Sequence, residues 1–294
     1  MRRLLAILKD INELIVFKHS VFALPFIFIA MIVSSHEVNN SAWFGFKLLI
    51  LGILCAVGAR SFAMSFNRFA DDDIDALNPR TAGRPSVDGR IGKVNMILFI
   101  LFNAVLFVVA AWFINKTAFI ASFPILIVLA SYSFFKRFSS FAHLILGLSL
   151  GLAPIAGSIA VLGSTHVWSW LLCFGVMFWA AGFDLLYSLQ DIEFDKEHKL
   201  HSIPSRYGKD AALAVSAGFH ILAVIFWLLF VSDASLGSIS YAAVAVSAII
   251  LCCEHFIVRR DFRKIDKAFF TLNGYLGIMF FIFVWVDIVF MIGD

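Results

Sequence analysis

Apolar residues come along this chain in long unbroken runs, at 20–34, 44–66, 94–114, 118–135, 141–162, 167–189, 212–232, 238–257 and 268–291. Most of these runs are about 18 to 24 residues long, the length an α-helix needs to cross the hydrocarbon core of a bilayer. They are too long and too continuously apolar for the alternating strands of a membrane barrel. The pattern predicts an all-α polytopic membrane protein: a bundle of nine transmembrane helices over 20–291, in a single domain covering 1–294. Ahead of the first run, Leu4, Leu5, Ile7, Leu8, Ile11 and Leu14 recur at helical spacing. They predict an amphipathic helix over 1–19 that lies on the membrane surface. That segment has no apolar core closed by a small-residue cleavage site, so it does not read as a removable signal peptide.

Composition agrees with a lipid environment. Hydrophobic residues make up 61% and charged residues 15% of the chain, whereas soluble domains carry roughly 25% charge. A soluble enzyme, a secreted disulfide scaffold, a nucleic-acid binder and a disordered chain are thereby excluded. Cys55, Cys173, Cys252 and Cys253 all fall inside apolar runs without metal-ligand spacing, and read as small packing residues.

The small net charge of +3 matters less than where the basic residues stand. Twenty of the 23 lie before the first run or in the loops that follow the second, fourth, sixth and eighth. Only Lys47 and Lys116 lie opposite, with Arg60 inside the second run. Cytoplasmic loops carry the excess of Lys and Arg, so the N-terminus is expected in the cytoplasm, the C-terminus outside, and the protein in the inner membrane.

Candidate chemistry lies where an apolar protein places carboxylates. Eight of the 20 acidic residues fall in two short stretches: Asp71, Asp72, Asp73 and Asp75, then Asp184, Asp191, Glu193 and Asp195. Asn67, Asp71 and Asp75 recur at every fourth position, as do Tyr187, Asp191 and Asp195, so on a helix each set forms one polar stripe. Carboxylates one turn apart repel and call for a cation. Their hard oxygens suit Mg²⁺, which takes one or two carboxylates together with water and phosphate oxygens. Two such stripes on one side of the membrane read as a diphosphate site, with Arg68, Arg80, Arg84, Lys136, Arg137 and Arg206 in the same loops to balance the anion. A single acidic run at a helix end is often only a solvated face; two of matched spacing are harder to dismiss. Asp184 lies within the sixth run, where an ionisable group costs at least about 2.5 to 3.5 kcal/mol and marks function. Arg60, similarly placed, is its partner or a ligand contact.

The residues from Asn67 through Asp71, Asp75 and Asn78-Pro79-Arg80-Thr81 to Pro85, together with Asp184-Leu185-Leu186-Tyr187-Ser188-Leu189-Gln190-Asp191-Ile192-Glu193-Phe194-Asp195, resemble the two Asp-rich motifs of the UbiA-type membrane prenyltransferases. The resemblance implies Mg²⁺-dependent transfer of a polyprenyl group from polyprenyl diphosphate to an aromatic acceptor, within a helical bundle that opens sideways to lipid. It implies that Asn67, Asp71, Asp75, Asp191 and Asp195 hold Mg²⁺ and diphosphate. Asp184 and Tyr187 would line the reacting end, and with Asp191 they are the catalytic candidates. An allylic cation needs a dry, aromatic-lined cavity, and then a base to remove the ring proton, either Asp184 or the released diphosphate.

Lys18 to Pro25 and Leu200 to Pro204 resemble the 4-hydroxybenzoate polyprenyltransferase branch that includes the futalosine-pathway menaquinone enzymes. The acceptor is then an aromatic carboxylate, 4-hydroxybenzoate or 1,4-dihydroxy-6-naphthoate, and Lys18, His19 and Arg60 are candidates to meet its carboxylate. Two rivals are weaker. A cation-coupled transporter would spread its carboxylates across the bilayer depth, and a phosphotransferase for CDP-activated alcohols would carry a different Asp-Gly motif.

Overall fold

The computed structural model describes residues 2–15, 22, 24–261, 265 and 268–293, and among them there is no strand. A helix α1 (Arg2–Ile15) precedes α2 (Leu24–Asn39) and α3 (Phe46–Ala70). A short α4 (Asp72–Leu77) follows, then α5 (Lys93–Ile114), α6 (Lys116–Phe135), α7 (Ala142–Leu162) and α8 (Val167–Tyr187). Short helices α9 (Ile192–Glu197) and α10 (Ile203–Tyr207) lead into α11 (Lys209–Asp233), α12 (Ser238–Arg260) and α13 (Asn273–Gly293). Eight helices among the described residues are long and apolar enough to cross a membrane; Leu24–Asn39 is shorter, at 16 residues. At 1.5 Å per residue it reaches about 24 Å, short of a hydrocarbon core of about 30 Å. The expected first span, 20–34, lies partly outside the described residues.

Hydrophobic burial cannot drive helices together inside lipid, so close backbone approach must do it. α7 supplies this on two faces. A Cβ at Gly147 or Gly151 would strike the carbonyl oxygen of Met177 or Cys173 on α8, and one at Gly157 would strike that of Ile27 on α2. The first two glycines stand four positions apart, the small-xxx-small spacing of tight membrane helix pairs. Gly147→Leu is therefore expected to lower stability by about 3 kcal/mol, the upper end of overpacking costs, because the obstacle is backbone. A thermal unfolding scan in detergent checks this, and an unchanged midpoint would contradict it.

Two buried polar groups serve the fold rather than the site. Asp287 of α13 accepts from the Ile239 and Ser240 backbone N–H groups and from Ser240 Oγ, capping the α12 N-terminus from a neighbouring helix. Trp179 Nε1 donates to Asn273 Oδ1 at 2.7 Å, and Asn273 Nδ2 donates to Glu254 Oε1 at 2.8 Å, tying α8, α13 and α12. A turn of π-helix, Ala268–Leu272, delivers Asn273 to that contact. Around it Phe26, Trp179, Trp227 and Phe280 pack ring against ring with centroids 5.2 to 6.3 Å apart. Cys55 and Cys173 are buried as expected, whereas Cys252 and Cys253 are exposed on α12.

Helix α1 is fastened at its end. Leu14 packs into a cluster with Phe62, Met96 and Leu129. Arg90 donates to both Glu13 oxygens at 2.7 and 2.9 Å, to Asp10, and to the carbonyl of Gly83 in the loop after α4.

Candidate functional site

One cavity of about 400 Å³ opens between α3, α6, α7 and α8. Its mouth is polar and its depth is apolar: Asn67, Asp71, Asp75, Arg80, Arg84, Lys136, Asp191 and Asp195 line one end, and Ile27, Cys55, Phe107, Ile125, Leu150 and Ala156 line the other. Arg60, His143, Asp184 and Tyr187 also line its wall. The two acidic clusters, more than a hundred residues apart in the chain, thus face one space.

Both clusters are built on broken helices, which corrects the continuous stripes expected from the fourfold spacing. α3 stops at Ala70, Asp71 takes φ −100° and ψ 8°, and α4 starts afresh at Asp72. On the other side α8 ends at Tyr187, and a 3₁₀ turn, Ser188–Asp191, separates it from α9. Aspartate favours such breaks because its side chain competes for local hydrogen bonds. Asn67 Nδ2 donates to Asp71 Oδ2 at 2.8 Å across the first break.

Every inward carboxylate meets a cation or a donor. Lys136 Nζ lies 2.7 Å from Asp71 Oδ2, and Arg84 pairs with Asp75, which also has Arg68 at 3.9 Å. Arg80 grips Asp191 through both Nε, at 3.0 Å, and Nη2, and donates from Nη1 to the Tyr187 hydroxyl at 3.2 Å. This is a two-point guanidinium clamp, and it joins the loop after α4 to the end of α8. Ser202 Oγ donates to Asp195 at 2.7 Å. Asp71 is 2% exposed and its Oδ1 is buried without a hydrogen-bond partner. Burial outweighs Lys136 and holds the Asp71 carboxyl above the usual carboxylate range.

Asp71, with its orphaned oxygen, and Asp75, Asp191 and Asp195 around the same mouth make an oxygen-rich donor set for a hard cation. Among the described residues no three acidic, imidazole or thiol groups converge into a closed metal cage. That arrangement fits Mg²⁺, which keeps several waters and shares a substrate's phosphate oxygens.

Some expected residues stand elsewhere. Arg137 does not line the cavity: it is held by Asp73 at 2.6 and 2.9 Å and by the carbonyl of Ala70, with Asp71 Oδ1 at 4.0 Å. Its guanidinium holds the Asp73 carboxyl below the usual range. Arg206 is exposed on α10, its guanidinium 5.7 Å from the Tyr207 ring centre, also off the cavity. A loop position identifies the side of the membrane a basic residue occupies but not the direction in which it points. Lys18 and His19 lie outside the described residues. Arg60 lines the cavity, and its buried Nε has no hydrogen-bond partner.

Three contributors have no role assigned from sequence, although two of them lie within the first motif. Asn78 donates to Asp191 at 3.2 Å and caps Arg80 N. Thr81 Oγ1 donates to the carbonyl of Asp75 at 2.8 Å, fixing the turn between them. His143, not Arg60, is the partner of Asp184, with Nδ1 2.8 Å from Oδ2. His143 was open to discovery by the reasoning that marks Asp184, since it too is an ionisable residue inside an apolar run.

The profile of the UbiA prenyltransferase family matches residues 23–285. Among similar proteins is a 4-hydroxybenzoate octaprenyltransferase of Tolumonas auensis, 26% identical over 240 residues, covering 80% of this chain and 82% of its own. Another, from Francisella tularensis subsp. novicida, is 23% identical over 253 residues, covering 86% and 87%. Of solved structures, the apo UbiA homolog from Aeropyrum pernix K1 superposes with a TM-score of 0.82 at 31% identity, over 92% of this chain and 98% of its own. A homolog from Archaeoglobus fulgidus bound to DMAPP and Mg²⁺ shares the fold, with a TM-score of 0.74 at 20% identity over 95% and 99%.

Proposed function

The chain belongs to the UbiA prenyltransferase family, a family of membrane transferases, and on that premise we propose that it moves a polyprenyl group from its diphosphate to the ring of an aromatic carboxylate in quinone biosynthesis. The observation that carries this reading is the pairing of two acidic, cation-dressed clusters across the mouth of one cavity whose depth is apolar. The polar end suits a diphosphate and the apolar end an isoprenoid chain. The Archaeoglobus fulgidus homolog of the same fold is bound to DMAPP and Mg²⁺, an isoprenoid diphosphate and a metal of the chemistry this reading requires.

In this reading Asn67, Asp71, Asp75, Asp191 and Asp195 hold Mg²⁺ and, through it, the diphosphate. The ion, when bound, supplies positive charge where the departing diphosphate develops negative charge. Arg68, Arg80, Arg84 and Lys136 complete the neutralisation from the protein side. The acidic partners of Arg80, Arg84 and Lys136 hold these side chains at the mouth before substrate arrives, so little reorganisation is needed. Asp184 and Tyr187 stand at the reacting end, next to the apolar wall that keeps water from the allylic carbon. Residues 1–294 act as one catalytic domain, with the mouth on the cytoplasmic side of the inner membrane, as the basic loops favour.

Acceptor identity is tested with purified protein in detergent, Mg²⁺ and a labelled polyprenyl diphosphate. One reaction receives 4-hydroxybenzoate and another 1,4-dihydroxy-6-naphthoate, each with an EDTA control. The names of the octaprenyltransferase relatives favour the first, and the resemblance of the Lys18 to Pro25 segment leaves both open. EDTA-sensitive product in one tube identifies the acceptor; none in either discards both.

Arg60 is the described cation best placed to take the acceptor's carboxylate. Arg60→Leu is expected to raise KM for the aromatic carboxylate about 10-fold or more, because a hydrogen bond to a charged group contributes roughly 1.5 to 3 kcal/mol. The KM for polyprenyl diphosphate should stay near its original value. Equal loss for both substrates would remove Arg60 from acceptor binding.

A further inference from the structure

Asp184 lies on α8 among buried apolar neighbours, yet its side chain keeps 24% of its surface open on the cavity wall. Its Oδ2 is taken by His143, from the first turn of α7, at 2.8 Å. His143 is 5% exposed, and its Nε2 is buried with no hydrogen-bond partner. An ionised carboxylate can only accept, so with Asp184 charged the imidazole carries a proton on Nδ1 and donates it to Oδ2. The other ring nitrogen, Nε2, is buried without a partner, whereas Asp184 Oδ1, on the more open side chain, carries no hydrogen bond from any described residue.

We infer that His143 is a positioning residue for the transfer: it holds Asp184 through Oδ2 so that Oδ1 is presented to the ring hydroxyl of the aromatic acceptor. This rests on the acceptor reading above and deepens it. The order of the pair follows from burial, with the carboxylate facing substrate and the imidazole behind it. A phenolic O–H donating to Oδ1 pushes electron density into the ring at the carbons beside the hydroxyl, where an electrophile is captured. A carboxylate free to rotate would meet that hydroxyl in many geometries, and a misplacement of about 1 Å can cost about 10²-fold in rate. Gly147, one turn along α7 from His143, lets the α7 and α8 backbones close up and brings the two side chains together.

His143→Leu should therefore lower kcat about 10²-fold while the KM for polyprenyl diphosphate stays within about twofold. His143→Asn keeps an N–H close to the position of Nδ1 and should recover kcat to within about tenfold of wild type. In an Asp184→Asn background, His143→Leu should cost less than about twofold, since its action passes through the carboxylate. A merely structural His143 would make Leu and Asn fall alike and would multiply with Asp184→Asn. Wild-type kcat in His143→Leu, or no recovery with Asn, overturns the inference while leaving the prenyl-transfer reading intact. If wild-type protein prenylates neither acceptor, the acceptor reading fails and takes this inference with it.

Discussion

Asp191→Asn cuts turnover by about 10³-fold or more, a loss comparable to removing a principal charge-stabilising group from a phosphoryl-transfer site. Asp191 receives Arg80 through two nitrogens and Asn78 through a third, and it faces Asp71 and Asp75 across the cavity mouth. The substitution preserves shape but removes the charge that holds Arg80 and attracts a divalent ion. It also turns an amide N–H₂ or a weaker acceptor toward the guanidinium. Because Asp191 sits at the mouth and not in the packed bundle, losing its clamp on Arg80 should lower the unfolding midpoint in detergent by only about a few degrees. Steady-state kcat together with that midpoint is the measurement, and near-normal turnover would remove Asp191 from the diphosphate site.

Chelation has the second large effect. With EDTA in excess, turnover should fall at least about 10³-fold, since a bound metal supplies several kcal/mol to a developing anion and each 1.36 kcal/mol is tenfold. Added Mg²⁺ should restore it. Asp71→Asn should raise the Mg²⁺ concentration needed for half-maximal rate, because Asp71 brings both a buried, unpartnered oxygen and a charge to the mouth. A rate indifferent to EDTA would show that the lysine and arginine side chains suffice without a metal, and would return the two clusters to a structural role.

The fold and the site were legible to different depths. Lipid imposes length and apolarity on each spanning helix, so the long helices α3, α5 to α8 and α11 to α13 are readable from the apolar runs alone. Asp71, Asp75, Asp184 and Asp191 are readable because charge is rare in such a chain. The breaks at Asp71 and at Ser188–Asp191 are hidden, since a fourfold repeat of polar residues looks the same whether the helix continues or pauses. Arg84 and Arg137 are equivalent in sequence, both basic and both in loops on one side; the turn held by Thr81 aims the first inward, and exposed Asp73 with the Ala70 carbonyl keeps the second out. Asp287 shows the reverse hazard, because an ionisable residue within a span can serve as a helix cap. What sequence lacks in each case is direction.

The glycine contacts of α7 have a mechanical corollary. Tyr187 ends the 21-residue α8, against which Gly147 and Gly151 pack, a rod of about 31 Å at 1.5 Å per residue. A rod of that length works as a lever, and a tilt of about 2° at one end moves the other by about 1 Å, enough to cost about 10²-fold in rate. Alignment of the mouth is therefore set deep in the bilayer, at the helix crossings, and a change of one methyl group there can detune chemistry it never touches.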